Sequence, residues 1–284
     1  ITGSTGFIGK NLYNDLKNSG HQVICISNSL EKQIKYIDNN DFRFGHFSDE
    51  SFVKSVLKKG DQVIHLAYST VPENSVLNPV YDVESNVNST ITFLKICQEI
   101  QISKFIFIST GGVVYGNQSI LPIPESAIVN PFSSYGITKL TIEKLIPLFV
   151  NNYCILRTSN VYGTGFDSKV NQGVINIWVR NIFEGKQITL FGTGTVIRDY
   201  IYISDFTKAI EKVIELDIQG LYNLGSQVGY SLLEILNELK KVTSRDFQIN
   251  QIANRKFDVD SNVLSIEKFK SISLVDLTVP VSLT

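Results

Sequence analysis

The chain contains no methionine, and it is poor in the residue types that mark disulfide-linked and metal-binding proteins. Its 284 residues include three histidines, one tryptophan and three cysteines. The histidines show no metal-ligand spacing, so we expect no metal site. The cysteines are odd in number and stand among apolar neighbours, at Cys25, Cys97 and Cys154. This pattern favours buried free thiols in a reducing compartment, and we therefore expect a cytoplasmic protein.

Excess charge and long apolar runs are also absent. The 26 basic and 27 acidic residues give a net charge of −1. Nucleic-acid binding relies on clustered Lys and Arg, so we expect no nucleic-acid partner. No apolar run approaches the roughly 20 residues of a membrane span and no signal peptide is visible, so we expect no membrane partner. Because the chain begins within a predicted strand and lacks methionine, we expect that terminal residues are missing from it. Methionines could also have been dropped internally, which would alter some spacings.

Glycine, in contrast, recurs regularly where the chain opens as ITGSTGFIGKNL. Gly3, Gly6 and Gly9 follow a short apolar stretch and precede apolar residues at helical spacing. Glycine lets the backbone turn tightly and lets a ligand come close. A strand, a glycine turn and a helix in this order favour a dinucleotide site, with the pyrophosphate on the N–H groups of the helix N-terminus. The alternative at this point is an ordinary turn between a strand and a helix.

Apolar strand-like runs alternate with helical stretches over residues 1–160. The runs are HQVICIS, DQVIHLA, KFIFIS and YCILR, and the helical stretches include SFVKSVLKK and STITFLKICQEI. Continuous apolar strands between helices predict an α/β fold, with a doubly wound parallel sheet covered on both faces. After Arg157 the pattern loosens into glycine-rich turns and an irregular tail. We predict a dinucleotide-binding domain over 1–160 and a smaller substrate-binding domain over 161–284, part of which, about 196–220, returns to the first domain.

The stretch SSYGITKLTIEKL places Tyr135 and Lys139 four residues apart, on one face of a predicted helix. A lysine ammonium near a phenol favours the phenolate and lowers the pKa of the tyrosine. Upstream, KFIFISTGGVVYG ends a predicted strand at Ser109 and Thr110, whose hydroxyls would lie at the substrate edge of the sheet. The alternative for the Tyr–Lys pair alone is a solvated helix face, but its combination with the glycine turn and the hydroxyls favours catalysis.

With these motifs the chain resembles the extended short-chain dehydrogenase/reductase family, a Rossmann-fold family. The resemblance is to its NAD-dependent epimerases and dehydratases, in particular the UDP-hexose (glucose or N-acetylglucosamine) 4-epimerase type. The matching segments are GSTGFIG, HLAYSTVP, SNVNST, YGITK, VNQGVI, ILRTSNVYGTG, GTGTVIRDYIYISD, LYNLGSQVGYSLLEI and NRKFD. The resemblance implies that NAD contacts Gly3, Thr5, Gly6, Phe7, Ile8, Gly9, Ser27, Asn28, Leu66, Ala67, Asn86, Tyr135 and Lys139. It implies that a nucleotide sugar contacts Thr110, Asn160, Gln172, Gly173, Arg198, Arg255 and Asp258.

Simpler interpretations of several of these residues stay open. Arg198 could pair with Asp199 or Asp205 on the surface. Arg255 and Asp258 lie in a polar tail and could be solvated, and Asn86 could cap or bridge helices.

The chain departs from the family pattern at two places. The family has an acidic residue after the second strand, where a carboxylate would hold the adenosine ribose, but here Ser27 and Asn28 stand there, with Lys32 nearby. The choice between NAD and NADP therefore stays open. The family's catalytic hydroxyl falls at Gly111, so we take Thr110 as its substitute and Ser109 as the next candidate. Gly111 and Gly112 also replace the acidic pair of the family's dehydratases, which argues against dehydration.

The resemblance therefore implies a nucleotide-sugar 4-epimerase that works through a transient 4-keto sugar, with Tyr135, Lys139 and Thr110 as the catalytic residues. The alternatives are an NAD(P)H-dependent ketosugar reductase and a non-catalytic NAD-binding protein. The sequence does not identify the hexose or the base. The resemblance also implies a homodimer formed by helices near 87–99 and 135–149. Their apolar residues are Ile91, Leu94, Leu140, Ile142, Leu145 and Leu148.

Overall fold

The computed structural model describes residues 1–29, 36–165, 173–253, 259–275 and 277. The helices in these ranges are α1 (Phe7–Asn18), α2 (Glu50–Val56), α3 (Pro72–Leu77), α4 (Pro79–Asp82), α5 (Ser89–Ile100), α6 (Gly111–Val114), α7 (Ser134–Phe149), α8 (Val174–Phe183), α9 (Ile203–Glu215), α10 (Leu232–Thr243) and α11 (Glu267–Ser273), with a π-helical segment, Val83–Asn88, between α4 and α5. The strands are β1 (Cys25–Ser27), β2 (Phe42–Phe44), β3 (Gln62–His65), β4 (Lys104–Thr110), β5 (Tyr153–Thr158), β6 (Asn160–Tyr162), β7 (Ile188–Phe191), β8 (Ile197–Tyr202), β9 (Gly220–Leu224), β10 (Gly229–Ser231), β11 (Ile249–Ile252) and β12 (Ser261–Asn262).

The chain divides into two compact units, and each is built from three separate segments. The first unit contains Ile1–Thr110, Ser133–Arg157 and Thr207–Tyr222. The second unit contains Gly111–Phe132, Thr158–Phe206 and Asn223–Thr284. No helix in the described ranges is both long and apolar enough to cross a membrane.

The first unit contains a parallel sheet. β1 pairs with β2 and β3 pairs with β4, both in parallel, and the second group continues in the order β3-β4-β5-β9. Thr2 forms parallel bridges to Ile26 of β1 and to His65 of β3, so the start of the chain lies between the two groups of strands. The prediction of an α/β fold with a parallel Rossmann sheet is confirmed.

Helices cover this sheet because their apolar residues recur at helical spacing. α2, α5 and α7 supply Val53, Phe93 and Ile146 to a core cluster with Phe105 and Phe107 of β4. The stretch predicted as the helix STITFLKICQEI forms α5 over the same residues. Cys25, Cys97 and Cys154 are buried free thiols, as predicted.

Two residues that the sequence analysis placed on the dimer surface of α5 and α7 are not exposed. Leu94 and Ile142 are fully buried in the core cluster, because α5 and α7 turn these positions towards the sheet. Both residues are therefore removed from the predicted contact surface. Leu148 is 70 % exposed, and Ile137, on the same helix α7, is 51 % exposed.

The second unit has more regular structure than the predicted irregular tail. β8 pairs with β6 and β12 in parallel and with β10 in antiparallel orientation, and β7 pairs with β11 in parallel. A separate core cluster joins α8 and α10 to these strands through Trp178, Leu190, Tyr200 and Leu236. Short strands in a polar context do not show a clear period of two, which is why the sequence pattern missed them.

Candidate active site

The glycine turn at the start of the first unit needs glycine for close approach. Gly3 has a φ of +67°, and a Cβ there would lie 2.7 Å from the Ala67 backbone nitrogen. A Cβ at Gly9 would lie 2.6 Å from the Gly3 carbonyl oxygen. α1 begins at Phe7, and its N-cap residue Gly6 provides no side-chain cap. The first N–H groups of α1 can therefore bind a phosphate, as a dinucleotide site requires.

A buried histidine holds the end of β3 against this turn. His65 Nδ1 and the Thr2 hydroxyl are 2.7 Å apart, and the Ala67 N–H donates to the Thr2 hydroxyl oxygen at 3.3 Å. Burial lowers the pKa of His65 to about 3, so the ring is neutral near pH 7. The contacts are structural, and they place Leu66 and Ala67 beside Gly3.

The end of β1 presents hydroxyl groups in place of the carboxylate typical of the family. The Thr5 and Ser27 hydroxyls are hydrogen-bonded at 2.9 Å, and the Ser29 N–H donates to the Ser27 hydroxyl oxygen at 3.2 Å. Ser27 is buried and Asn28 is exposed. Lys32, the nearby cation noted in the sequence, falls outside the described residues.

Tyr135 and Lys139 lie on the first two turns of α7. The Lys139 ammonium donates to the Ile108 carbonyl oxygen at 2.8 Å, and it lies 3.9 Å from the Tyr68 ring centroid and 5.8 Å from the Tyr135 ring centroid. The Tyr68 and Tyr135 rings meet edge to face at 5.2 Å. The pair and the glycine turn are thus in the same unit. Sequence reasoning missed Tyr68, because it follows the matching His-Leu-Ala stretch without a motif of its own.

The protonation of this pair differs from the sequence expectation. Burial lowers the pKa of Lys139 to about 7, against the opposing effect of the Glu143 and Asp82 carboxylates. Burial raises the pKa of Tyr135 well above its usual value, and the Asp82 charge adds to this increase. The lowering of the Tyr135 pKa that we expected from Lys139 is not seen, because the ammonium is turned towards Ile108.

The two candidate hydroxyls at the end of β4 have different surroundings. The Ser109 hydroxyl donates to Glu143 Oε1 at 2.5 Å, and Arg157 forms a buried ion pair with the same carboxylate at 2.7 Å. Thr110 is half-buried, and no described residue forms a hydrogen bond with its hydroxyl. Ser109 is therefore part of a structural cluster, which favours Thr110 as the hydroxyl that meets a substrate.

Asn86 bridges two segments inside the first unit. Its Oδ1 accepts from the Ser69 N–H at 2.8 Å, and its Nδ2 donates to the Thr70 hydroxyl at 3.0 Å and to Asp82 Oδ1 at 2.9 Å. The side chain is 2 % exposed. Its contacts match the bridging interpretation, and through them it places the segment that follows Ala67.

Two expected substrate residues lie on neighbouring strands of the second unit. Asn160 begins β6, is exposed, and donates from Nδ2 to the Asp199 carbonyl oxygen at 2.9 Å. The Asp199 carboxylate is fully buried and accepts hydrogen bonds from Ser226, the Gln227 N–H and the Leu264 N–H. Asp199 therefore fixes β8 internally. Arg198 is half-buried and donates from Nη1 to the Ile197 carbonyl oxygen at 2.9 Å.

The remaining expected substrate residues are only partly described. Gly173 has a φ of +82° and is the N-cap residue of α8. Gln172, Arg255 and Asp258 lie outside the described residues.

A parallel α/β sheet with a glycine turn at its first helix is typical of the Rossmann-fold dinucleotide enzymes, and here a Tyr–Lys pair lies in the same unit. The family model for the NAD dependent epimerase/dehydratase family matches residues 1–225. The chain belongs to this family, and its cofactor is NAD.

Known relatives agree with this assignment. The putative UDP-glucose 4-epimerase of Methanocaldococcus jannaschii is 33 % identical over 84 % of this chain and 80 % of that protein. The structure of UDP-glucose 4-epimerase with UDP-glucose from Thermotoga maritima superposes with a TM-score of 0.91 at 30 % identity, covering 98 % of this chain and 93 % of that one. The Thermus thermophilus UDP-glucose 4-epimerase complex with NAD has a TM-score of 0.89 at 26 % identity, covering 95 % and 91 %.

Proposed function

We propose that the protein is a nucleotide-sugar 4-epimerase that acts on a UDP-hexose or a UDP-N-acetylhexosamine with tightly held NAD. The observation that carries the proposal is the Tyr135–Lys139 pair on α7, in the unit that contains the glycine turn. The relatives named above are described as UDP-glucose 4-epimerases. Gly111 and Gly112, at the positions of the dehydratase acids, favour epimerisation over the loss of water.

In this proposal the protein supplies placement and proton transfer, while bound NAD supplies a hydride acceptor and donor. Tyr135, as the phenolate, would take the proton of the sugar 4-hydroxyl and become the neutral phenol, which would later return that proton. Lys139, with a pKa of about 7, is partly protonated near neutral pH and would supply a positive charge near Tyr135. The Thr110 hydroxyl donates to the sugar 4-oxygen and keeps it in place. The first N–H groups of α1, with Leu66 and Ala67, bind the dinucleotide.

The first unit is the dinucleotide-binding unit in this proposal, and the second unit binds the nucleotide part of the substrate. Asn160 and Arg198 would contact the diphosphate, and Gly173 would contact the base with Gln172. Arg255 and Asp258 would contact phosphate and ribose. Tight binding of the nucleotide allows the sugar ring alone to rotate between the two hydride transfers.

The decisive experiment follows the electrons. The purified protein is incubated with UDP-glucose, UDP-galactose, UDP-N-acetylglucosamine or UDP-N-acetylgalactosamine, without added cofactor, and the products are separated. We expect 4-epimers and no net absorbance change from NADH. A requirement for stoichiometric NAD(P)H would instead establish the ketosugar reductase, and bound NAD without any conversion would establish a non-catalytic protein.

A single substitution tests the role of Tyr135. Tyr135→Phe removes the proton acceptor but keeps the ring, so kcat should fall about 10²–10⁴-fold. The bound NAD should remain, because the phenol is not the main contact of the dinucleotide. Unchanged turnover in this variant would contradict the catalytic assignment.

We further propose that the protein acts in the cytoplasm as a homodimer. Three buried free thiols support a reducing compartment. The contact expected from the sequence lies on the helices near 87–99 and 135–149, but here we propose the exposed apolar side chains of the adjoining helical segments that precede 87–99, which we call the helical surface. These are Val76 (47 % exposed), Leu77 (83 %), Val80 (64 %), Tyr81 (50 %) and Val83 (43 %). Apolar exposure on this scale marks a contact surface, and two-fold dimers are the commonest assemblies.

A further inference from the structure

A fully buried carboxylate lies beside the Tyr–Lys pair and has no role in the function proposed above. Asp82, the last residue of α4, is 0 % exposed. Its Oδ1 accepts from the Thr70 hydroxyl at 2.5 Å and from Asn86 Nδ2 at 2.9 Å. Its Oδ2 accepts from the Ser134 hydroxyl at 2.6 Å and from the Thr138 hydroxyl at 3.1 Å. All four donors are neutral, and no described residue forms an ion pair with Asp82.

The donors on Oδ2 lie on either side of Tyr135. Ser134 is the first residue of α7, directly before Tyr135, and Thr138 lies three residues after it. The Thr138 hydroxyl is also 2.6 Å from the Tyr68 hydroxyl. The Tyr135 N–H donates to the Ser75 hydroxyl of α3 at 3.2 Å. The first turn of α7 is therefore fixed from outside the helix, and Asp82 is the acceptor that joins both sides.

The donors on Oδ1 connect this turn to the cofactor side of the unit. Thr70 follows Ala67 by three residues, and Asn86 accepts from the Ser69 N–H at 2.8 Å. Ala67 lies against Gly3. One carboxylate thus joins the segment that follows Ala67 to the turn of α7 that carries Tyr135. A displaced carboxylate would change the position of the phenol relative to the cofactor segment.

Burying an ionised carboxylate costs free energy, which hydrogen bonds must offset. Hydrogen bonds to a charged group contribute more to stability than those between neutral groups. The N-terminus of α7 adds a favourable field, because the helix dipole is positive there. These contacts stabilise the buried charge of Asp82. An apolar side chain would fill the same space without the free-energy cost of burying a charge.

We propose that Asp82 is a positioning residue for Tyr135: it locks the first turn of α7 and supplies a fixed negative charge to the Tyr135–Lys139 pair. The proposal rests on the proposed function, in which Tyr135 moves the proton of the sugar 4-hydroxyl. Asp82 contacts neither the substrate nor the cofactor in this role, and it acts through Ser134 and Thr138.

The charge of Asp82 has a measurable consequence at the pair. Titratable groups around Tyr135 are Asp82 from α4, Tyr68 from the segment after β3, and Lys139 on α7 itself. Glu143 and His65 act in turn on Lys139. The Asp82 anion raises the pKa of both Tyr135 and Lys139. Removing this charge should therefore move the pKa of the pair downward, and with it the acid limb of the kcat/KM profile.

The test compares three variants and one control variant of the full chain, each with bound NAD. Asp82→Asn keeps the shape and removes the charge. Thr138→Val removes one hydroxyl donor at constant shape, and Thr138→Ser restores that hydroxyl. Glu50→Gln, which neutralises an exposed carboxylate on α2, is the control. The measurements are kcat, KM, the pH profile of kcat/KM, the NAD content and the melting temperature.

We expect Asp82→Asn to lower kcat about 10–100-fold with little change in KM, because a misplacement near 1 Å has effects of this size. The acid limb of the kcat/KM profile of Asp82→Asn should move to lower pH. Thr138→Val should lower kcat without moving this acid limb. Thr138→Ser and Glu50→Gln should match the unmodified protein. If Asp82→Asn does not fold, the comparison of Thr138→Val with Thr138→Ser decides the positioning claim, and equal kcat in these two overturns it.

Unchanged kcat and an unchanged acid limb in Asp82→Asn overturn the proposal, while Tyr135→Phe separately reports whether the proposed function holds. A fall in kcat that only parallels the loss of NAD and of melting temperature, with the acid limb unmoved, also overturns it, since this would be a purely structural role. Full activity of Tyr135→Phe would contradict the proposed function itself, whatever Asp82→Asn shows.

Discussion

The Ser109 hydroxyl donates to Glu143 at 2.5 Å, and the same carboxylate pairs with Arg157, so Ser109 belongs to a buried ion-pair cluster. Thr110, the next residue, has no hydrogen bond to its hydroxyl from any described residue. Neighbours on a strand point to opposite faces, which explains why two adjacent hydroxyls have such different surroundings. The sequence left both residues as candidates, and the geometry separates them.

Substitution of each hydroxyl tests this separation. Thr110→Val should lower kcat about 10²-fold, the usual effect of losing one donor to a reacting oxygen, with little change in melting temperature. Ser109→Ala should retain most of the activity but lose about 1–2 kcal/mol of the free energy of unfolding, because the buried Glu143 loses a donor. Steady-state kinetics and urea unfolding measure the two effects. The reverse pattern would assign catalysis to Ser109.

Lys139→Met should make the protein more stable at neutral pH. The pKa of Lys139 is lowered from 10.5 to about 7 in the folded protein, so the unfolded chain binds more protons between these values. Burial of the protonated Lys139 therefore lowers the free energy of unfolding. This loss is complete below about pH 7, becomes smaller as the pH rises, and is absent above about pH 10.5.

We expect Lys139→Met to raise the free energy of unfolding by on the order of 1–3 kcal/mol at pH 6–7, a net value that includes the lost hydrogen bond to Ile108. Near pH 10 this difference should disappear. The turnover of the variant should be nearly abolished. Urea unfolding at several pH values gives the comparison. A variant that is less stable at every pH, by a constant amount, would contradict a buried and partly neutral lysine.

Two glycines of the glycine turn before α1, Gly6 and Gly9, should differ in the effect of substitution by alanine. A Cβ at Gly9 would lie 2.6 Å from backbone atoms of Gly3 and Ser4, whereas a Cβ at Gly6 has 3.3 Å to its nearest neighbour. Gly9→Ala should cost about 1–3 kcal/mol or more of the free energy of unfolding. Gly6→Ala should fold normally but release NAD more readily, because it adds a methyl group at the N-cap residue of α1, the helix whose first N–H groups are proposed to bind the pyrophosphate.

Thermal unfolding and the NAD content of the purified protein distinguish the two effects. Normal folding and normal NAD retention in Gly6→Ala would show that the dinucleotide does not approach α1 at this residue.

The proposed dimer predicts that a charge on the helical surface produces monomers. Leu77→Glu replaces a side chain that is 83 % exposed on α3, and Ile128→Glu replaces one that is 81 % exposed in the second unit. Light scattering at micromolar concentration should give a dimer for the unmodified protein and for Ile128→Glu, and a monomer for Leu77→Glu. A monomer in the unmodified protein would refute the assembly.

The sequence pattern predicted those features that rest on local spacing. STITFLKICQEI shows a helical period and forms α5 over the same residues, and KFIFIS forms most of β4. The glycines at Gly3 and Gly9 could be recognised because close backbone approach excludes every larger residue. Spacing alone, however, did not show which face of a helix meets the sheet, and Leu94 and Ile142 were therefore assigned to the surface although they are buried.

Features that depend on contacts between distant segments were not predictable. Asp82 lies between Tyr81 and Val83 in a stretch without a motif, and its role comes from Thr70, Ser134 and Thr138, which the fold brings together. The protonation of Lys139 likewise depends on burial. An ammonium four residues from a tyrosine predicts a lowered phenol pKa, but the structure turns this ammonium towards Ile108.

The departure at Gly111 has an evolutionary consequence. A Cβ at this position would overlap the end of the Leu264 side chain, and Asn262 Nδ2 donates to the Gly111 carbonyl oxygen at 2.8 Å. A serine introduced at 111 would therefore collide with Leu264 before it could offer a hydroxyl. A serine at 111 therefore requires that the Leu264 side chain shift or that a smaller residue replace it, and a smaller residue alone would leave a cavity in the core. Positions 111 and 264 are thus expected to change together.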